Sequence, residues 1–373
     1  MRALPRVLAA LLLCAAAASA GDAPRKVALF KTHKTSGTTL GAVLFRYAAL
    51  RSSLIFTAGN ASAECAAGFE AAGCLRAHAL TPLPALGAAG PHADVVLHHV
   101  SMSGNLSGAT FGDVLRFYAA ALVGTAAADA PQPLLLVPVR EPVARFASFF
   151  HFYGRFRRLP AAPGAPTLQD WIDARAGADG FAAEFGLRTA ADTDAFLELL
   201  TAPDAVRRTG GLRPFFFPSE RFDDALLVLG SLLNFTWQDS LYVRLQNSGA
   251  YEPPSAAQRD AIRAQTTLDA RIYAATTASF ERDFGAVQAR IGAASWRRSQ
   301  AALASRLKTL RSSVDDSSSL SAACQALGAW YQRDDLAYES SVDEVTWRAP
   351  VPPVARRRAM AEAFRQSNGS RFC

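Results

Sequence analysis

Near the start of the chain a short apolar strand, Lys26-Val27-Ala28-Leu29-Phe30, runs into a hydroxyl-rich turn and then a helix. The strand shows no polar alternation, so it needs cover on both faces, as in a parallel sheet between helical layers. From Thr38 to Leu50 the apolar residues Leu40, Val43, Leu44 and Tyr47 follow helical spacing. A turn between strand and helix presents unpaired backbone amides at the helix start, where anions bind. The pattern recurs at Leu134–Val139, an apolar strand followed by Arg140 and by a helix that Pro142 opens, with Val143, Phe146, Phe150 and Tyr153 on one face.

Other segments fit the same scheme. Leu54–Thr57 and Asp94–His99 read as strands, and Phe111–Val123 and Phe222–Leu233 as helices. Thr167 to Leu200 and Ser255 to Arg311 are mostly helical, and Leu241–Leu245 reads as a further strand. Pro160–Pro166 and the polar Ser312–Ser321 stretch read as linkers. Alternating strands and helices predict a three-layer, mainly parallel α/β core over residues 26–290, with a helical C-terminal extension over 291–373. No internal repeat is visible. At 373 residues and 50% apolar composition the chain can bury a large core.

The N-terminus carries Arg2 and Arg6, an apolar run from Val7 to Ala20, and Ala18-Ser19-Ala20 in the form of a cleavage site. Residues 1–20 thus read as a signal peptide or a short type II signal-anchor; the latter would associate the protein with a membrane through its N-terminus. Entry into the secretory pathway, to the Golgi or for secretion, fits four sequons, at Asn60, Asn105, Asn234 and Asn368. Apart from Cys14 in the leader, Cys65, Cys74, Cys324 and Cys373 are even in number and candidates for disulfides. Cys65 with Cys74 is the local pair, though three connectivities are open. The net charge of +7 favours anionic partners, yet no dense basic run with interleaved aromatics marks a nucleic-acid binder.

Two constellations carry chemistry. Lys31-Thr32-His33-Lys34-Thr35-Ser36-Gly37-Thr38-Thr39 supplies lysines, a glycine and hydroxyls around helix-start amides, without the spacing of a nucleoside triphosphate loop. Arg140-Glu141-Pro142-Val143-Ala144-Arg145-Phe146-Ala147-Ser148 puts a guanidinium where ligands bind in open α/β sheets, with a hydroxyl nearby. Each has a plainer reading, a capped helix start for the first and an Arg140–Glu141 surface pair for the second. A third feature is His98-His99 at a strand end, a candidate base. The Phe215-Phe216-Phe217 run reads as core more readily than as a sugar platform.

Together these motifs resemble the galactose 3-O-sulfotransferase family, whose loop has the form K-T-H-K-T-x-S/G-S/T-T and whose second motif is R-E-P-V-x-R-F-x-S-x-F. The likeness spans about Lys26 to Arg290 and fades beyond. It implies a sulfotransferase of the phosphate-loop-like fold, using 3′-phosphoadenosine 5′-phosphosulfate (PAPS) as donor and no metal. It also implies a galactose-terminated glycolipid, such as galactosylceramide, or a glycoprotein glycan as acceptor, with transfer to the 3-hydroxyl. Lys34 is then the catalytic lysine. Lys31, Thr35, Ser36, Gly37, Thr38 and Thr39 bind the 5′-phosphosulfate, and Arg140 and Ser148 the 3′-phosphate. Gly37 stands where many members carry serine, and the segment after His99 departs from the family's Met-Arg-Phe-Asn. His98 or His99 is the base. Rival expectations are a phosphate-loop kinase for a small molecule or sugar, and a non-catalytic glycan-binding protein on the same fold.

Overall fold

The computed structural model describes residues 26–51, 55–58, 94–99, 111–122, 131–152, 166–175, 178–202, 204–242, 251–315 and 346–348. The leader 1–20, the sequons at Asn60, Asn105 and Asn368, and Cys65, Cys74, Cys324 and Cys373 lie outside them. In chain order the elements begin with β1 (Val27–Lys31), α1 (Gly37–Arg51), β2 (Ile55–Ala58), β3 (Val95–His99), α2 (Phe111–Leu122), β4 (Leu134–Val139) and α3 (Pro142–Phe149). Four short or medium helices follow: α4 (Leu168–Asp173), α5 (Gly180–Glu184), α6 (Ala190–Thr201) and α7 (Ala205–Arg208). After them come β5 (Arg213–Pro218), α8 (Phe222–Leu233), α9 (Ala256–Gln265), α10 (Thr267–Ile291), α11 (Ala293–Asp315) and β6 (Thr346–Arg348).

The strands form one six-stranded sheet in the order β5-β4-β1-β3-β2-β6. All neighbours are parallel except β6, which pairs antiparallel to β2. The expected parallel α/β core is therefore present, and strand alternation builds its two apolar layers. Val27 and Leu29 of β1, Val95 and Leu97 of β3, and Phe215 and Phe217 of β5 pack on one face with Leu40, Val43, Leu44 and Tyr47 of α1 and with α8. Ala28, Phe30, Val96, Leu135, Val137 and Phe216 pack on the other with α2, α5 and α6. There Phe30 stacks on Phe185 with centroids 4.7 Å apart, while Phe111 meets Phe30 and Phe185 edge-on at 5.3 Å each. Such ring pairs add roughly 0.5–1.5 kcal/mol each beyond simple burial.

Three details are not read from the sequence. Phe215-Phe216-Phe217 lies within β5, buried as core, and among the described residues β5 is an edge strand with no ladder partner on one side, where Pro214 and Pro218 are tolerated. Leu241 and Tyr242 are irregular rather than strand, buried against the α8 layer. Among the helices, α11 continues to Asp315, into the stretch read as a linker, and its Trp296, Leu303, Leu307 and Leu310 join the same core as Val27. No helix among the described residues is long and apolar enough to cross a membrane.

The chain leaves β1 toward β3 on one side and later returns to β4 on the other, so the β1–β4 junction is the topological switch point. The β1–β4 ladder pairs Val27–Leu29 with Leu134–Leu136 and ends there, below the carboxyl ends of both strands. The loop after β1 and the residue after β4 therefore emerge side by side.

Candidate functional site

The loop between β1 and α1 is tied down from within. The Thr35 hydroxyl donates to the Thr32 carbonyl (3.0 Å) and meets the Thr32 hydroxyl at 2.8 Å. Thr32 Oγ1 in turn donates to the Pro138 carbonyl of β4 at 3.3 Å, closing the crevice above the ended ladder. Thr32 and Thr35 are both buried, so the Thr35 hydroxyl closes the loop and its backbone N–H is the group it can offer a ligand.

Lys34 and Ser36 both adopt positive φ, 62° and 63°, with Thr35 between them on the ordinary side. A lysine in the left-handed region costs about 1–2 kcal/mol. Alternation of this kind turns successive N–H groups toward one concavity and makes an anion cradle. The cradle opens directly into the first turn of α1, where Thr38 is half-buried, Thr39 is buried and no acidic residue competes for the helix dipole. Gly37 is the position of closest approach: a Cβ there would stand 2.6 Å from Lys31 Cγ. A serine at 37 would collide with the buried stem of Lys31, which accounts for glycine in this loop. The Lys34 Nζ lies 3.9 Å from the centre of the Phe152 ring.

Arg140 joins the second motif to the first. Its Nη1 donates to the Lys34 main-chain carbonyl at 3.1 Å, so a guanidinium touches the backbone of a loop 106 positions away in sequence. The surface pair of Arg140 with Glu141 gives way to a different arrangement: Glu141 caps α3 by accepting the Ala144 N–H at 2.7 Å, and its own N–H donates to Glu220 Oε1 at 3.1 Å. Ser148 is buried in the last half of α3. His98 and His99 occupy the end of β3 in register with Phe30 and Lys31, beside the start of the loop.

Behind the loop lies a buried ionic cluster that the motifs did not single out. The His33 N–H donates to Glu184 Oε2 (2.8 Å) and its ring Nδ1 is 3.0 Å from Glu184 Oε1, consistent with His33 supporting the loop rather than facing a ligand. Arg145 Nη2 donates to the same Oε1 at 2.5 Å, and Arg145 Nε to the His33 carbonyl at 3.2 Å. Arg145 Nη1 is 4.0 Å from Asp269 Oδ2, and Asp269 accepts the N–H groups of Phe181 (3.1 Å) and Ala182 (2.7 Å). Arg145 sits inside the second motif, but Glu184 and Asp269 are far away in sequence, and no spacing rule connects them to it.

Burial pushes the Asp269 carboxyl up to about 6, with the Arg145 guanidinium and the two backbone N–H groups opposing. The folded protein then holds this proton more tightly than the unfolded chain, so the ionisation penalty grows as pH rises from about 4 to about 6 and is complete above that. We expect the stability of the wild type relative to Asp269→Asn to fall over that window by on the order of 3 kcal/mol. Thermal melts of the two proteins from acid to neutral pH check this; a difference that grows with pH runs against it.

The arrangement defines a mainly parallel α/β protein whose strand–loop–helix turn, with left-handed Lys34 and Ser36, meets the Arg140 guanidinium at the switch point of its sheet. The chain matches galactose-3-O-sulfotransferase 3 of Bos taurus at 30% identity over 278 residues, covering 69% of this chain and 57% of that protein. The Homo sapiens protein of the same name matches at 30% and that of Mus musculus at 29%, each over 275 residues and 56% of its length. No family model matches. No solved structure matches either. This chain is a relative of the galactose 3-O-sulfotransferase family, and it spans somewhat over half the length of the relatives it matches.

Proposed function

We propose that this chain transfers a sulfuryl group from PAPS to a galactose hydroxyl, the 3-hydroxyl of a glycolipid or glycoprotein glycan. The observation that carries the reading is the Arg140–Lys34 contact at 3.1 Å, which brings an arginine for one phosphate to the edge of a cradle for another. Among common nucleotides, a bisphosphorylated adenosine has anions at both the 3′ and 5′ positions, whereas ATP has them at one end only. The relatives' names favour sulfuryl transfer to galactose over the kinase and glycan-binding readings.

In this reading the cradle amides of Lys34 to Thr39 and the Lys31 side chain hold the 5′-phosphosulfate, and Arg140 with Ser148 holds the 3′-phosphate. His98 or His99 takes the proton from the acceptor hydroxyl. The hydroxyl oxygen then bonds to sulfur as the bond from sulfur to the 5′-phosphate oxygen breaks. Lys34 neutralises the charge left on that oxygen, and 3′,5′-ADP departs. Sulfuryl carries less negative charge than phosphoryl, so lysine and amide donors can serve here without a metal. The same reading places the protein in the lumen of the secretory pathway with sugar at its sequons; Asn234, the one described, is exposed.

Incubation with labelled PAPS and a panel of galactosylceramide, lactosyl and N-acetyllactosamine acceptors tests this. Label on a galactose oxygen is expected. Binding of ATP–magnesium in preference to PAPS, with no label transferred, would favour the kinase reading instead.

A further inference from the structure

We propose that Glu184 is a positioning residue for the donor loop: through His33, and with Arg145, it fixes the backbone from which the Lys34 cradle is built. This rests on the sulfotransferase reading and extends it to a residue on α5, 151 positions from the loop it holds.

Both polar groups of the His33 main chain are held. Its N–H is taken by Glu184 Oε2 at 2.8 Å and its carbonyl by Arg145 Nε at 3.2 Å. The next carbonyl, that of Lys34, is taken by Arg140 at 3.1 Å. The backbone just before the left-handed turn at Lys34 is thus gripped at three points, and two of the three belong to one connected pair, Arg145 and Glu184.

That pair is costly to keep. The Arg145 and Glu184 side chains are each 4% exposed, and a buried ion pair can often be replaced by apolar residues at no loss of stability. Stability alone therefore does not account for it. Neighbouring sequence is also arranged around it. Gly180, at the start of α5, lies so close to Arg145 that a Cβ there would stand 3.0 Å from Nη1. Asp269 faces the same guanidinium from α10. The carboxylate is spent on the loop: each oxygen of Glu184 meets His33, and only Oε1 is shared with Arg145. Holding a strained anion cradle open before the ligand arrives lowers the cost of binding, which is what such a support would do.

The loop grips the 5′ end of the donor and Arg140 the 3′ end, so loosening Glu184 has a directional consequence. Calorimetry of the full chain with 3′,5′-ADP and with adenosine 3′-monophosphate reads this. Glu184→Gln, which keeps the shape but loses the charge, is expected to weaken 3′,5′-ADP by about tenfold and to leave the 3′-monophosphate within about twofold. Turnover with PAPS falls by more than the binding does, because Lys34 is displaced from the leaving oxygen. His33→Ala tests the same link at a side chain 20% exposed, where folding is safe, and is expected to show a weaker loss in the same direction. Equal weakening of both nucleotides in a variant that still folds makes Glu184 a general support of the fold and overturns the proposal. So does unchanged affinity for 3′,5′-ADP in both variants. If the wild type fails to bind 3′,5′-ADP at all, the sulfotransferase reading itself is what fails.

Discussion

Lys34→Ala is expected to lower the proposed PAPS-dependent turnover by about a hundred- to a thousandfold while the chain still folds. The lysine is the cation next to the cradle on the loop that joins β1 to α1, and its ammonium meets Phe152 across 3.9 Å. Removing it leaves the cradle amides and Arg140 in place, so the loss falls mainly on kcat. A sharper variant is Lys34→Gly. Lysine holds φ at 62°, where glycine is at ease, so Lys34→Gly relieves strain. It should keep stability or raise it by up to about 1 kcal/mol while turnover collapses. Activity lost with stability kept is the mark of a residue held in an awkward conformation for its chemistry. Turnover within about threefold of the wild type in Lys34→Ala would remove Lys34 from the mechanism.

The second large effect is expected at Arg140. Its guanidinium donates to the Lys34 carbonyl and stands at the carboxyl end of β4, so in the proposed reading truncation removes the 3′-phosphate partner and a support of the loop together. Arg140→Ala should weaken donor binding by about a hundredfold, a charge-assisted contact plus the loosened loop. Arg140→Lys should recover little, because an ammonium on a flexible stem cannot serve a phosphate and a carbonyl in one plane. Calorimetry with 3′,5′-ADP reads both. Full recovery by lysine would mean that only the charge at 140 matters.

Much of this was legible in the sequence, for reasons that can be named. Leu134–Val139 and Phe222–Leu233 have the bounds read from their apolar spacing, because a strand buried on both faces and a strongly amphipathic helix each leave an unambiguous period. The Lys31–Thr39 loop and Arg140 stand out in the sequence as candidates because the chemistry proposed for each is local to one strand–turn–helix. β5 reads from the sequence as core or edge aromatics but not as a strand, since two prolines mask its strand character and its edge position excuses them. Leu241 and Tyr242 look like a strand start but are buried by packing against α8, not by a ladder. Glu184 is invisible as a site residue, and Asp269, though its segment Leu268–Tyr273 resembles the family, has no role legible there: only the fold brings both to the Arg145 guanidinium beneath the loop. Sequence spacing finds groups that act from one segment, whereas the groups that hold them are assembled from three.

The most direct test compares wild-type affinities for 3′,5′-ADP, adenosine 3′-monophosphate and adenosine 5′-monophosphate under one salt condition. If the Lys34 cradle and Arg140 grip opposite ends of one nucleotide, the bisphosphate binds at least about a hundredfold tighter than either monophosphate, and Arg140→Ala erases its advantage over adenosine 5′-monophosphate. A bisphosphate that binds no better than the stronger monophosphate would mean that the two cationic groups do not share a ligand.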